Sequence, residues 1–417
     1  MNEFRDGRTQ DERTTNGTVA DLAAVSGCAT GGSESAKQSF GDDLAFLQKH
    51  TEVVVLKDNS GRGQVVVLPE MQGRVMTSTA NGLAGLSFGW INRELIASGK
   101  ILEHMNAFGG EDRFWMGPEG GQFSIFFEKG VPFDLDHWYT PASIDTEPWE
   151  VELKSSKSVA LRKTTRLKNY SGYVFDVRID REVRVIEPRQ AAKMLGIAPA
   201  SGVSMVAYES NNKMANVGEQ PWVKETGLLS IWILGMFNPS PTTTIVIPFV
   251  EGPEERLGPI VNDAYFGKVP ADRLVVKDGV MFFSGDGQYR SKIGLSPRRA
   301  RDMLGSYDAT NNVLTLVQYN KPAGARDYVN SMWELQEEPF AGDVVNSYND
   351  GPPEPGAKPM GPFCELETSS PAAALAPGQS ILHTHRTFHF TGQEAELDAI
   401  AQATLGVSLA EIKSALP

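Results

Sequence analysis

The sequence predicts an all-β protein, one large antiparallel sandwich finished by a short helical tail. Three observations point there. β-branched runs recur along most of the 417 residues, 41 Gly and 25 Pro break those runs into short strands, and no linker interrupts 40–391. The predicted boundaries are a leader over 1–38, a β-sandwich domain over 39–391 and a helical tail over 392–417.

Taken in order, the leader is polar and aperiodic, the composition of a disordered segment. Within it Val25-Ser26-Gly27-Cys28 resembles a bacterial lipobox, although the apolar stretch before it is short and carries Asp21. A processed Cys28 implies a periplasmic or lipid-anchored protein, and a chance match implies a cytoplasmic one, so localisation stays open. A helix over 42–49 offers Leu44, Phe46 and Leu47 for burial. Val53–Leu56 turns through Asp58-Asn59-Ser60-Gly61 into Val65–Leu68, a hairpin signal.

Further strands are predicted at 74–79, 122–128, 149–155, 158–166, 173–187, 202–210, 228–236, 243–249, 273–276, 280–284, 313–319, 333–338, 363–368 and 380–390. The run 174–183 alternates apolar and charged residues, so one face is buried and the other solvated. Residues 296–304 suggest a single helical turn. In the tail, Leu397, Ile400, Leu405, Leu409 and Ile412 recur at helical spacing, and Ser408 with Glu411 fits a capping box.

Charge and composition exclude several functions. A net charge of −13, from 52 acidic and 39 basic residues, opposes a nucleic-acid partner. No window approaches the roughly 20 apolar residues of a transmembrane helix. Cys28 and Cys364, the 2 cysteines, cannot build a disulfide framework or a thiolate zinc site. Motifs for a serine nucleophile elbow, a zincin helix and a phosphate loop are all missing.

Three segments concentrate chemistry. Residues 103–121 gather His104, Glu111, Asp112, Arg113, Trp115 and Glu119 among glycines that let backbone approach a ligand. A Trp face beside carboxylates and an Arg suits a sugar ring and its hydroxyls. The second segment runs from Asn349 to Glu365 and Glu367, two carboxylates on one strand face about 7 Å apart, where one raised in pKa by its neighbour is a candidate general base or acid. The third is His383-Thr384-His385-Arg386-Thr387-Phe388-His389. It places three of the chain's 6 histidines on one strand face, at a spacing that suits a metal. The competing reading is a set of neutral, hydrogen-bonded histidines.

Together these residues resemble the galactose mutarotase-like superfamily, the relatives of aldose 1-epimerases. The resemblance lies in the strand Val65–Val75, the Gly-Gly stretch at 109–121, Leu366-Glu367-Thr368 and Leu375-Ala376-Pro377-Gly378-Gln379-Ser380, in that order over about 40–391. It implies a β supersandwich, a sugar-sized ligand and Glu367 as catalytic base. Two positions depart from the pattern. Phe108 stands where epimerases carry a His before Gly-Gly, and Ile231–Asn238 holds no counterpart of their second catalytic His.

The expected function is therefore acid/base chemistry on a sugar or glycan, epimerase-like, lyase-like or hydrolase-like. Glu367 is the expected base, and His104 or His385 the acid. Glu111, Asp112, Arg113, Trp115, Glu119, Asn349, Glu365 and Arg386 are the expected ligand contacts. Two alternatives stand beside it, a non-catalytic glycan-binding protein and a metal-dependent oxidoreductase built on His383, His385 and His389. No cofactor is required by the sequence, and a divalent metal enters only with that last alternative.

Overall fold

The structure, a computed structural model, describes residues 39–198, 202–354 and 356–417. The leader, Cys28 included, lies outside the described residues. Helix α1 (Phe40–His50) starts at Ser39, whose side chain caps the Asp42 amide while Asp42 returns a bond to the cap. Strands β1 (Val54–Lys57), β2 (Gln64–Leu68) and β3 (Arg74–Thr79) follow, then α2 (Arg93–Ser98), β4 (Arg113–Gly117), β5 (Glu150–Lys154), β6 (Ser158–Lys168), β7 (Val174–Val185) and α3 (Pro188–Leu195). The middle of the chain forms β8 (Val203–Asn216), β9 (Ser230–Phe237), β10 (Thr243–Pro248), α4 (Glu254–Leu257), β11 (Leu274–Lys277), β12 (Val280–Ser284) and β13 (Ser291–Leu295). The chain ends with β14 (Met303–Asp308), β15 (Val313–Tyr319), β16 (Val345–Asn349), β17 (Cys364–Ser369), β18 (Ser380–Gly392), α5 (Glu394–Leu405) and α6 (Leu409–Ser414).

These strands form three antiparallel sheets. The largest has ten strands in the order β11-β12-β10-β14-β15-β18-β8-β7-β6-β5, a second has five, β13-β16-β17-β9-β4, and β1-β2-β3 make the third. The two larger sheets pack face to face, as the predicted sandwich requires. Phe114, Ile231 and Ile233 of the five-stranded sheet share a core with Leu161, Val177 and Ile179 of the ten-stranded one. Further along, Ile293, Val345 and Leu366 meet Ile245, Met281 and Val317. A fully buried aliphatic side chain of this kind contributes roughly 1.5–3 kcal/mol.

The alternation read in 174–183 holds: Phe175, Val177, Ile179 and Val183 are fully buried, with Asp176, Arg178 and Asp180 less so. Position 181 follows the same inward phase but carries an Arg, so a buried cation enters the core. On the outer face of the ten-stranded sheet, Leu314, Leu316, Phe388 and Phe390 pack against Leu397, Ile400, Leu405, Leu409 and Ile412 of the helical tail.

Some expectations are corrected. Residues 122–128 and 333–338 form loops rather than strands, their aromatic side chains serving as packing anchors. Ser296–Ala300 makes one turn, closed by the Ala300 amide on the Ser296 carbonyl, and the chain then extends into β14. Strands β4, β13, β14 and β16 were unpredicted. They are buried along nearly all their length, so they carry no apolar–polar alternation to announce them.

An acidic, tryptophan-walled cleft on the five-stranded sheet

Antiparallel register decides which side chains meet on the outer face of the five-stranded sheet. Trp115 pairs with Trp232, Arg113 with Leu234, Leu234 with Glu367, Glu367 with Asn346, Met236 with Glu365, Glu365 with Tyr348, and Tyr348 with Lys292. Paired residues share a face, so a row of carboxylates, cations and aromatics lies on one side. Loops carrying Glu119, Trp138, Tyr265, Arg290 and Trp333 rise around it and enclose a cleft of about 540 Å³. That lies within the range of small-molecule sites, roughly 300–1,000 Å³.

Local sequence builds the approach to β4. Gly109 and Gly110 adopt φ of +101° and +114°, where a side chain is strained. A Cβ at Gly109 would sit 2.0 Å from the Trp90 carbonyl oxygen. The close approach expected of these glycines is therefore to the protein's own backbone, and it brings Arg113 and Trp115 into line on the sheet.

Two ion pairs organise the cleft floor. Arg113 Nη2 lies 2.5 Å from Glu365 Oε1, both side chains nearly inaccessible. Lys292 Nζ lies 3.1 Å from Glu367 Oε2, and the Trp232 indole N–H donates to the same oxygen at 2.9 Å. The Lys292 ammonium also sits over the Trp232 ring at 4.8 Å and the Tyr265 ring at 5.4 Å. Tyr265 in turn donates to Asp343 at 2.7 Å. Glu367 Oε1 and the indole N–H groups of Trp115 and Trp138 make no hydrogen bond among the described residues.

Electrostatics set two carboxyl groups apart. Glu365 is pushed up to about 7, first by burial, against the pull of Arg113 and with added repulsion from Glu367. Glu119 is likewise raised to about 7 by burial, with Lys292 opposing and Glu367 reinforcing. Burial drives the Lys292 ammonium toward deprotonation, but Glu367, Glu119 and Glu365 outweigh it and leave its pKa above the usual lysine value. The cleft thus holds two carboxyl groups near even protonation at neutral pH beside a fixed cation.

The structure brings together Arg113, Trp115, Glu119 and Glu365 of the expected residues, with Glu367 behind them. Glu367, expected as the base, is fully buried beneath Lys292 and Trp232. The other expected residues lie elsewhere. Glu111 and Asp112 are fully buried between the sheets, where Glu111 Oε2 meets His389 Nε2 at 3.0 Å and Asp112 pairs with the buried Arg181 at 2.7 Å. Burial of Arg181 explains the placement, since an inward-facing guanidinium demands a carboxylate. His104 Nδ1 donates to the Trp138 carbonyl at 2.8 Å and stacks on Tyr139, supporting a cleft wall from behind. Asn349 is tied to Asp286, Gly287 and Tyr289, and Arg386 to Glu209 on the opposite sheet.

The histidine strand is also corrected. His383, His385 and His389 are fully buried and point between the sheets. The Thr368 hydroxyl hydrogen-bonds both His383 Nε2 at 2.8 Å and His385 Nδ1 at 2.9 Å, and Thr315 meets His389 Nδ1 at 2.9 Å. Burial, helped by its neighbour His385, holds His383 down at about 3; burial likewise holds His385 at about 4. The three do not form a ligand set, and no group of three or more His, Cys, Asp and Glu among the described residues is placed to hold a metal. His385, expected as an acid, has the five-stranded sheet between it and the cleft.

Sequence reasoning missed Lys292, Trp232, Tyr265, Arg290 and the tryptophans 138 and 333. A lone charge, Lys292, inside Ser291–Leu295 was the available signal.

Fold and cleft define an antiparallel β-sandwich protein with an acidic, aromatic cleft. Within that class, the chain belongs to the family of unknown function DUF6786, which matches residues 38–416. No curated protein matches it. Among solved structures, the Slr1438 protein of Synechocystis sp. PCC 6803 is similar at 12% identity and a TM-score of 0.49, over 82% of this chain and 96% of that one. A putative aldose 1-epimerase of Escherichia coli K12 is similar at 13% and 0.48, over 82% and 99%. A galactose mutarotase-like protein of Lactobacillus casei ATCC 334 is similar at 9% and 0.46, over 81% and 100%. Similarity of this size leaves function to the chemistry of the cleft.

Proposed function

We propose that the cleft binds a sugar and catalyses proton transfer on it, in the manner of an epimerase acting at an anomeric carbon. One observation carries this reading: Glu119 and Glu365, both near even protonation at neutral pH, line a cleft walled by Trp115, Trp138, Trp232 and Trp333. Indole faces match the apolar C–H faces of a sugar ring, and carboxyl groups match its hydroxyls. A group half-protonated at the working pH is a competent acid and a competent base.

One of the two carboxylates takes the proton of the anomeric hydroxyl while the other, protonated, gives its proton to the ring oxygen. The bond between the anomeric carbon and the ring oxygen breaks and a carbonyl forms. Reversal on the other face closes the second anomer and restores both carboxyls. Lys292, held by Glu367, places a positive charge beside the developing oxyanion. Glu367 is then a positioning residue whose charge keeps Glu119 and Glu365 high.

The test is anomer exchange by NMR across a panel of aldoses, with lyase and hydrolase products sought in the same samples. Wild-type protein is expected to accelerate exchange. Glu119→Gln and Glu365→Gln are each expected to lower the rate by about 100-fold or more. Binding without any turnover assigns the cleft to glycan recognition instead.

A further inference from the structure

Two of the three cations lining the cleft are paired with carboxyl groups at its floor: Arg113 with Glu365 and Lys292 with Glu367. The third, Arg290, makes no hydrogen bond or ion pair with any described residue through its side chain. Its guanidinium lies over the Phe266 ring at 4.1 Å, and Phe266 rests edge-on against Tyr348 at 5.9 Å. The guanidinium therefore rests on an aromatic face while its N–H donors engage no described residue, which suits an oxyanion. Two acidic neighbours are already taken. Asp350 accepts from the Tyr348 hydroxyl at 2.9 Å and from the Gly361 amide at 2.8 Å, and Asp134 at the rim pairs with His137 at 2.6 Å. Glu334, also at the cleft, is exposed and screened by solvent.

We propose that Arg290 makes this cleft a site for a sugar acid, its guanidinium receiving the carboxylate of a uronate-type ring. The proposal rests on the reading of the cleft as a sugar site and adds the charge of the sugar. Its consequence is selectivity: a uronate gains a charge-assisted, bidentate contact that the parent neutral sugar cannot make, while the ring still stacks on the tryptophans.

Calorimetry on the full chain tests it with galactose, glucose, galacturonate, glucuronate and galactose 6-phosphate. Uronates are expected to bind roughly 10- to 100-fold tighter than their neutral parents. Arg290→Gln should abolish that preference. Arg290→Lys, which keeps the charge and loses the planar fork, should retain only part of it. Equal affinity for uronate and parent, a preference that survives Arg290→Gln, or tighter binding of the phosphate ester than of either uronate each overturns the assignment. If neutral sugars bind without a uronate preference, only this proposal fails. If no sugar binds, the sugar reading of the cleft fails and this proposal with it.

Discussion

The two faces of the five-stranded sheet use similar side chains for opposite ends. On the inner face, Thr368 binds His383 and His385, Glu111 meets His389, and Asp112 pairs with Arg181, all fully buried between the sheets. One residue along the strand from Thr368, Glu367 points the other way, to Lys292 and Trp232 beneath an open cleft. Inner polar groups turn toward one another between the sheets. Outer ones are crowded so that carboxyl groups repel, lose solvent and keep protons they would otherwise release. On the outer face the charges meet a ligand-sized space, and the density of reactive residue types alone does not reveal which face that is.

Catalysis draws the comparison most sharply. Glu119→Gln and Glu365→Gln should each cost about 100-fold or more in turnover, whereas His385→Gln, across the sheet, should leave kcat unchanged. A loss of turnover in His385→Gln with intact folding would break the division between faces. The reverse holds for stability. Asp112→Ala strands the Arg181 guanidinium without a partner and should cost about 3–5 kcal/mol, read from the urea unfolding midpoint. Glu365→Gln should cost much less, because the native carboxyl is already half-neutral at pH 7.

pH should pull the faces apart in sign. Glu119 and Glu365 have folded pKa values near 7, above the unfolded value of roughly 4.3. Their contribution to stability is complete below the unfolded value and is lost as pH rises through 7. His383 and His385, held at about 3 and about 4, lie below the unfolded value of roughly 6.5. Their contribution is complete above that value and is lost as pH falls toward 4. Between about pH 4.5 and 6.5 the two slopes oppose. Asp145, Asp343 and Asp350, also raised by burial, oppose the histidines in wild type and variant alike. Removing two opposing carboxyls in Glu119→Gln/Glu365→Gln should therefore make Tm rise more steeply with pH than in wild type across that window, and an unchanged slope removes these two carboxyls from the account.

The fold was largely legible because half-buried strands announce themselves. Val174–Val185 alternates, its partner β6 precedes it across a turn, and the tail shows helical spacing with a capping box at Ser408. Strands buried on both faces, such as Arg113–Gly117 and Ser291–Leu295, carry no such pattern and were missed. The site was half legible. Arg113, Trp115, Glu119 and Glu365 fell inside segments that looked chemical, but the pairings that define the floor join Lys292 to Glu367 and Arg113 to Glu365, 75 and 252 residues apart. Arg290, Tyr265 and Trp333 reach the cleft on loops whose local sequence carries no sign of it. The histidine strand misled because period-2 spacing puts His383, His385 and His389 on one face without saying whether that face meets a ligand or another sheet.

The smallest contrast removes one hydrogen-bonding group from each face at neighbouring points. Thr368→Val keeps the side-chain shape and deletes the hydroxyl shared by His383 and His385, leaving buried ring nitrogens without it. About 1–3 kcal/mol of stability should be lost with kcat unchanged. Trp232→Phe deletes the indole N–H that holds Glu367 Oε2 while keeping an aromatic ring under the cleft. Its stability cost should be about 1 kcal/mol. Its signature should be kinetic, because a less restrained Glu367 changes the field at Glu119 and Glu365 and moves the pH profile of turnover. A shifted profile in Trp232→Phe beside an unshifted one in Thr368→Val separates the working face from the structural one by a single residue step along β17.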